Sequence, residues 1–579
     1  MSGEFTHRIS QVTNKAPNSD FDQEHDEHLE HLVSPACQGP VIAPPSSPCH
    51  PGSSILTDGH FEGSFTEKQV HHGTWNESTG TKEGRGTYIC CTIAWSPGPV
   101  VDGCDVARVT ADMFPDVVLL RIFDFYVPLD EYLKDEDIEI WHTLVHVCRN
   151  WRNVVFGSPR RLNLQLSCTS GTPVRRTLDV WPLLPIVVTV YSNCRWENGN
   201  IFAALEHNDR ISELVIYHIP SSGTEKVLAA LQKPFPALTY LQFEFKTESA
   251  PVLPASFLGG SASGLKTLAL DRIPFPGLPK LLLTATHLVY LDILRIPHSG
   301  YISPEAMVTG LSVLARLVHL RIGFESPRSR PDRRSRRPPP TRTPLPVLTL
   351  LWFKGASEYL EDLVARINVP QLNKLTITFF HQLIFDCPQL TQFISRAPKF
   401  KAHSEAHVVF SKRDVAVRLP QTFGGLLEFR TSCKQSDWQL SSAAQVCSSS
   451  FTRALIPTVE HLYIRSRYRQ QDWQDDIEGN QWLELFQPFA AVNDLYISSK
   501  FTPRIAPALK ELVGERVTEV LPALQTLFLE PPLSGPVQET IGQFLAVRQL
   551  ANHPIGVSHW EKKEDLSYED LSYDTDDDQ

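Results

Sequence analysis

Ten segments of the chain carry one arrangement of apolar positions, L-x-x-L-x-L with other apolar residues admitted: RISELVI, ALTYLQF, GLKTLAL, HLVYLDI, RLVHLRI, VLTLLWF, QLNKLTI, TVEHLYI, AVNDLYI and ALQTLFL. Their first matched residues are Ile211, Leu238, Leu265, Leu288, Leu317, Leu348, Leu372, Val459, Val492 and Leu524. Successive starts lie 27, 27, 23, 29, 31 and 24 residues apart, then 87, then 33 and 32. Apolar residues two apart predict a short strand with one buried face. Between the strands run return segments, helical in pattern where the spacing allows, as in EYLEDLVARI at 358–367.

One such unit cannot bury its apolar side alone, so the units are expected to stack. The step length matches leucine-rich repeats. Recurrence at ten places favours a stack over an ordinary α/β domain whose strands happen to read alike. Leu268, Leu291, Leu320, Leu375, Leu462, Leu495 and Leu527 are then expected in equivalent buried places. The Asn or Cys that usually follows such a strand is absent, so no asparagine ladder can form and an irregular horseshoe is expected. The 87-residue gap has room for three degenerate repeats, with AHVVFS and LLEFR as candidate strands.

Ahead of the repeats lie two greasy helical patterns. PDVVLLRIFDFY (115–126) opens with Pro115 and Asp116, both suited to a helix N-terminus. WHTLVHVCRNWRNVVFGSP (141–159) reads as one helix with apolar Trp141, Leu144, Val145, Cys148, Trp151 and Val155, stopped by Gly157 and Pro159. Val147, Val154 and Phe156 add apolar surface outside that stripe. Two short helices of this kind need a second partner.

The run FPDVVLLRIFDFY…W…LVHVCRNWRNVVFGSP resembles an F-box: a Leu-Pro-like start, a Leu/Ile/Phe helix, then a Val-Cys-Arg-x-Trp-Arg helix. More narrowly, HVCRNWRNVVFGSPRRLNLQL, YLEDLVARI and QLIFD are similar to the large family of F-box-like proteins of mushroom-forming fungi, over about residues 110–550. Phe114 stands where that pattern usually has Leu, and residues 127–140 separate the two helices more widely. The resemblance implies docking to the Skp-type adaptor of a Skp–cullin–F-box ubiquitin ligase and, through it, to cullin. The candidate adaptor contacts are Phe114, Pro115, Val118, Leu119, Ile122 and Phe123 on the first helix, with Leu144, Val145 and Cys148 on the second. Trp141, Trp151 and Val155 are the expected box core. The repeats would hold a target protein. The rival reading is a non-catalytic scaffold, binding protein or RNA, whose helix pair only caps the stack.

Composition changes the picture at the ends. Residues 1–107 hold three leucines against nine prolines, eleven glycines and eight histidines, a disordered composition. His25, His28 and His31 among acids read as a solvated polar segment rather than a metal site, having no fourth ligand. Net charge is −11, which speaks against a general nucleic-acid binder. Residues 561–579 contribute nine acids and two lysines, a net of −7. The expected organisation is therefore a disordered segment at 1–107, an F-box-like helical domain at 109–159, an α/β leucine-rich-repeat-like solenoid at 160–550 and a disordered acidic tail at 551–579.

RSRPDRRSRRPPPTR (328–342) departs from the acidic balance, with Arg328, Arg330, Arg333, Arg334, Arg336, Arg337 and Arg342 against one aspartate. It reads first as an exposed loop between repeats and second as a nuclear import or phosphate-binding stretch. The 11 cysteines are scattered with no C-x-x-C pair and read as reduced thiols. No apolar run is long enough to span a bilayer and no signal-peptide order opens the chain, so the expected compartment is cytoplasm, nucleus or both. GGSASGLKT (259–267) misses the phosphate-loop pattern because Leu265 intrudes before Lys266. No catalytic or metal constellation was found, so no enzyme and no cofactor are expected.

Overall fold

The computed structural model of the chain describes residues 114–126, 144, 147–157, 164–169, 172–190, 199–219, 221–245, 251–328, 341–380, 387–401, 403–421, 424–433, 437–449, 452–453, 455–467 and 479–560. The N-terminal 107 residues, Trp141, Val145, most of the arginine stretch and residues 561–579 lie outside them. All described residues fall in one compact unit beginning at Asp105.

Two helices come first, α1 (Asp116–Tyr126) and α2 (Arg149–Gly157). The strands follow: β1 (Leu164–Ser167), β2 (Ile186–Val190), β3 (Ile211–Ile219), β4 (Tyr240–Phe245), β5 (Thr267–Asp271), β6 (Tyr290–Ile296) and β7 (His319–Phe324). Beyond them are β8 (Thr343–Pro344), β9 (Leu350–Gly355), β10 (Ile367–Asn368), β11 (Lys374–Phe380), β12 (Glu405–Phe410), β13 (Asp414–Pro420) and β14 (Leu426–Ser432). The last are β15 (His461–Ser466), β16 (Asp494–Ile497), β17 (Thr526–Leu529) and β18 (Gly556–His559). All but β8 and β10, which pair with each other, join one 16-stranded sheet.

Register explains why the leucines recur. Leu214, Leu241, Leu268, Leu291, Leu320, Leu351, Leu375 and Leu427 stand side by side on successive strands. Leu462, Leu495 and Leu527 continue the row further along. Every one of these leucines is 0% exposed. Two residues on, a second buried ladder crosses the sheet without interruption: Ile216, Phe243, Leu270, Ile293, Ile322, Phe353, Ile377, Phe429, Val417, Val408, Ile464, Ile497 and Leu529. Return segments cover these ladders. The helix Ser357–Arg366, for example, buries Tyr359, Leu360, Leu363 and Val364. Each buried Leu, Ile or Phe contributes on the order of 1.5–3 kcal/mol relative to exposure. The backbones also come close: a Cβ at Gly300 would sit 2.6 Å from the Cα of Pro274.

Nine of the strands, β4, β5, β6, β7, β9, β11, β15, β16 and β17, are entered through the same turn. The N–H groups of Leu238, Leu265, Leu288, Leu317, Leu348, Leu372, Val459, Val492 and Leu524 donate to the carbonyls three residues earlier. Those earlier residues, Phe235, Ala262, Ala285, Leu314, Leu345, Val369, Ile456, Phe489 and Leu521, are themselves buried. The repeat signature therefore extends three residues upstream. The next N–H donates to the preceding repeat, as Lys266 does to Thr239 at 2.7 Å and Thr349 to Val318 at 2.9 Å. A backbone ladder at the strand entrances thus ties neighbouring repeats where asparagines are missing.

Three expectations need correction. The 87-residue gap holds a three-stranded meander rather than three repeats: β13 runs antiparallel to both β12 and β14, and β14 pairs with β11 while β12 pairs with β15, both in parallel. The proposed 551–579 tail begins too early, because β18 pairs in parallel with β17 and Trp560 donates its N–H to Leu529 at 3.1 Å. An end rung needs little buried apolar side chain, so the sequence there lacks the repeat pattern. The exposed loop expected around the arginine stretch, over 326–344, also reaches too far, because Thr343 and Pro344 pair in parallel with Ile367 and Asn368.

Candidate functional site

The helix pair is half core and half surface. Leu119 and Phe123, one turn apart, are buried, and the Phe123 ring meets Trp151 edge-on at 4.9 Å. Leu144, Val154 and Val155 are buried with them. Leu119, Phe123 and Leu144, expected on the docking face, thus belong to the interior of the free chain. Pro115 is exposed and Phe114 partly covered. Val117 (71% exposed), Val118 (40%), Ile122 (41%) and Val147 (57%) are the exposed apolar residues here, with Val118 and Ile122 one turn apart on α1. The second helical pattern is not continuous. Leu144 and Val147 are helical, Cys148 is not, and the Cys148 Sγ accepts from the Trp151 N–H at 3.4 Å at the start of α2. Cys148 is therefore a cap residue and only partly exposed.

Opposite the leucine ladders, the sheet turns a second face outward. Its middle row runs Gln242, Ala269, Asp292, Arg321, Trp352, Thr376, Glu428, Arg418, His407, Tyr463, Tyr496 and Phe528 in register. At the β3–β6 end this face is acidic and ion-paired. Arg295 pairs with Asp271 and, at 3.0 Å, with Glu244. His218, Arg272 and Arg295 all have φ near +50° (54°, 57° and 47°), a left-handed conformation rare for these residues. At His218 and Arg295 it coincides with shifts in strand register. Burial, with the neighbouring Asp271, raises the Glu244 pKa; burial also raises that of Asp292 against the pull of Arg321 at 3.3 Å.

At the centre, Trp352 lies under the Arg321 guanidinium, 5.2 Å from the ring centroid. Gly323 makes room for it, since a Cβ there would meet the Trp352 ring at 2.8 Å. Next to it, Arg418 Nε and Arg430 Nη2 both donate to Glu428 Oε1 at 2.9 Å. Burial opposes the Glu428 charge, but Arg430 and Arg418 outweigh it and hold its pKa below the usual carboxylate range.

Toward β17 the row becomes aromatic. His407 stacks on Tyr463 at 4.5 Å, Tyr463 on Tyr496 at 4.2 Å and Tyr496 on Phe528 at 4.3 Å. Arg465 lies over Tyr463 (4.6 Å) and Trp560 (5.3 Å). Burial pushes the His407 pKa down against the pull of Glu405. Sequence reasoning missed this row. Its signal lies in HLYI, DLYI and TLFL, where the residue between the two buried positions faces outward.

Of the arginine stretch, Arg328 and Arg342 are described, both exposed, and Arg342 donates to the Ala365 carbonyl at 3.2 Å. Arg330, Arg333, Arg334, Arg336 and Arg337 lie outside the described residues. Replacing those five by serine is expected to leave the melting temperature within about a degree, as for surface changes generally. A large drop in a thermal melt would contradict the inserted-loop reading.

Among the described residues no group of three His, Cys, Asp or Glu is placed to hold a metal ion, and no helix is long and apolar enough to cross a membrane. Among the described residues no disulfide joins any of Cys148, Cys168, Cys387, Cys433 and Cys447.

No family model matches the chain, and no curated protein matches it. Among solved structures, it is similar to the leucine-rich repeat-containing protein LegL7 from Legionella pneumophila, at 10% identity, covering 66% of this chain and 97% of that one, with a TM-score of 0.25. That score is too low to support any conclusion. The repeat architecture rests instead on the in-register leucine ladders and the recurring entry turn.

Proposed function

We propose that the chain is a non-catalytic binding protein, the substrate-recognition subunit of a Skp–cullin–F-box-type ubiquitin ligase. One observation carries the reading. The helix pair that resembles an F-box uses Leu119, Phe123 and Leu144 internally, yet leaves Val117, Val118, Ile122 and Val147 exposed. Exposed Val118 and Ile122, neighbours one turn apart, are the start of the kind of apolar strip that a protein partner covers. The Skp-type adaptor would cover that face and bring cullin with it. The outer face of the sheet, rich in the Tyr, Trp and Arg that dominate binding interfaces, would hold the target protein. Catalysis would then be the ligase's, with this chain raising the local concentration of target lysines. The reading places the protein in cytoplasm or nucleus.

A second reading has its own support. Leu119, Phe123, Leu144, Val154 and Val155 belong to the same continuous apolar cluster as Leu164 and Leu166 of β1. That arrangement suits a cap on a repeat scaffold that binds partners without any ligase link. Co-expression of the full chain with a Skp-type adaptor separates the two. The ligase reading expects a one-to-one complex on gel filtration, and the cap reading expects the proteins to elute apart.

A further inference from the structure

The buried ladders do not close alike at the two ends of the sheet. At the β1 end the apolar cluster runs on into the helix pair. At the β18 end the row Leu462, Leu495, Leu527 finishes on Val557, which is 45% exposed. Among the described residues no strand pairs with the far side of β18. Gly556 and Trp560 donate their N–H groups inward, to Gln525 at 2.8 Å and Leu529 at 3.1 Å. Backbone direction alternates along a strand, so the N–H and C=O groups of Val557 and His559 point to the open edge. Both residues are exposed. An edge of this kind is a template for another strand.

The last helix, Gly535–Leu550, leads into β18. It buries Ile541, Phe544 and Arg548, and the Arg548 guanidinium donates to the Val517 and Leu521 carbonyls at 2.7 and 3.2 Å. Its exposed side runs Gln538, Gly542, Gln543, Ala546, Gln549 and Leu550, and Glu539 is the one charge on it. Leu550 is 88% exposed, and a Cβ at Gly542 would meet nothing within 4 Å. A face so nearly uncharged does not repel its own copy, which is what a self-complementary, two-fold contact needs.

We propose that two copies of the chain pair through this end, about a two-fold axis at Ser558. β18 then meets β18 of the second copy in antiparallel. Val557 exchanges backbone hydrogen bonds with His559 of the partner subunit, and Ser558 faces its own counterpart. The two sheets become one, and the two last helices approach through their uncharged sides. The helix has 16 residues and is roughly 24 Å long. A strand layer and a helix layer together are roughly 20 Å deep. The contact therefore buries roughly 500 Å² on each copy, about 1,000 Å² in all, the size of a weak and reversible interface. The acidic stretch 561–579, net −7, follows β18. In the antiparallel pairing the two stretches start at opposite ends of the joined strands, and salt screens what repulsion remains. The inference stands whether or not the helix pair docks an adaptor.

Sedimentation velocity of the full chain, from about 1 to about 100 μM, should show the 65.2 kDa monomer in exchange with a dimer. The dimer should hold or tighten between about 50 and about 300 mM salt. Leu550→Glu with Val557→Glu sets like charges into the contact and should weaken it at least about tenfold. Both residues are exposed, so the thermal melt should not move. Val557→Pro removes only an N–H that points to the open edge, and should weaken the dimer without adding charge. Ser558→Cys should form an inter-chain disulfide on mild oxidation, beyond any the wild type forms, because residues facing each other in such a pair lie about 4.5 Å apart at Cα. Wild type that stays monomeric at about 100 μM, a dimer that both Val557 variants leave unchanged, a dimer that dissociates as salt rises, or a Ser558→Cys protein that cross-links no more than the wild type overturns the proposal.

Discussion

Glu428→Ala is expected to destabilise the fold by about 3–5 kcal/mol, the cost of leaving a buried charge without its partner. The Glu428 and Arg430 side chains are 4% and 8% exposed, and Arg418 shares the same carboxylate oxygen. Removing Glu428 leaves Arg430 with Asp414 at 3.8 Å as its remaining carboxylate among the ion pairs described. Because the folded-state pKa of Glu428 is lowered, its contribution is complete above the unfolded carboxyl value and is lost as pH falls through the folded one. Acid should therefore weaken the wild type more steeply than Glu428→Gln. Urea melts at neutral and acid pH check both statements. A loss under about 1 kcal/mol at neutral pH would mean that water reaches the pair.

Leu320→Ala should cost about 2–5 kcal/mol through lost burial and the cavity left behind. Leu320 is 0% exposed and lies between Leu291 and Leu351 in the ladder. In a stack each repeat touches chiefly its neighbours, so the damage should be local. Hydrogen exchange should speed up most in β6, β7 and β9, and least in β16 and β17. His319→Ala, one residue away on the outer face, should cost much less. Uniform loss of protection along the sheet would contradict a nearest-neighbour stack.

The leucine ladder was legible because one residue type recurs at a fixed offset and must be buried. The meander was only half legible. Ala406, Val408 and Phe410 alternate with polar neighbours as a strand should, but period two is the same in either direction, so β12–β14 read like repeats. In α1 the pattern is apolar nearly all round, and only the packing of Leu119 and Phe123 on Trp151 shows which side is inside. The break at Cys148 had no signal, since a thiol is an unusual helix cap. Residues 556–560 pair as an edge strand with little burial, so hydrophobicity could not mark them. The aromatic row lies on residues up to 121 positions apart, His407 to Phe528, and only the register brings them together.

The proposed adaptor-docking face is tested most directly by Val118→Glu combined with Ile122→Glu in the full chain. Both side chains are exposed, so the melt should stay within about a degree of the wild type. Titration with purified Skp-type adaptor should show the wild type binding and the double variant losing at least about a hundredfold in affinity, since unpaired charges would be buried at the contact. Folded wild-type protein that binds no such adaptor, or a double variant that binds as well as the wild type, would contradict the account.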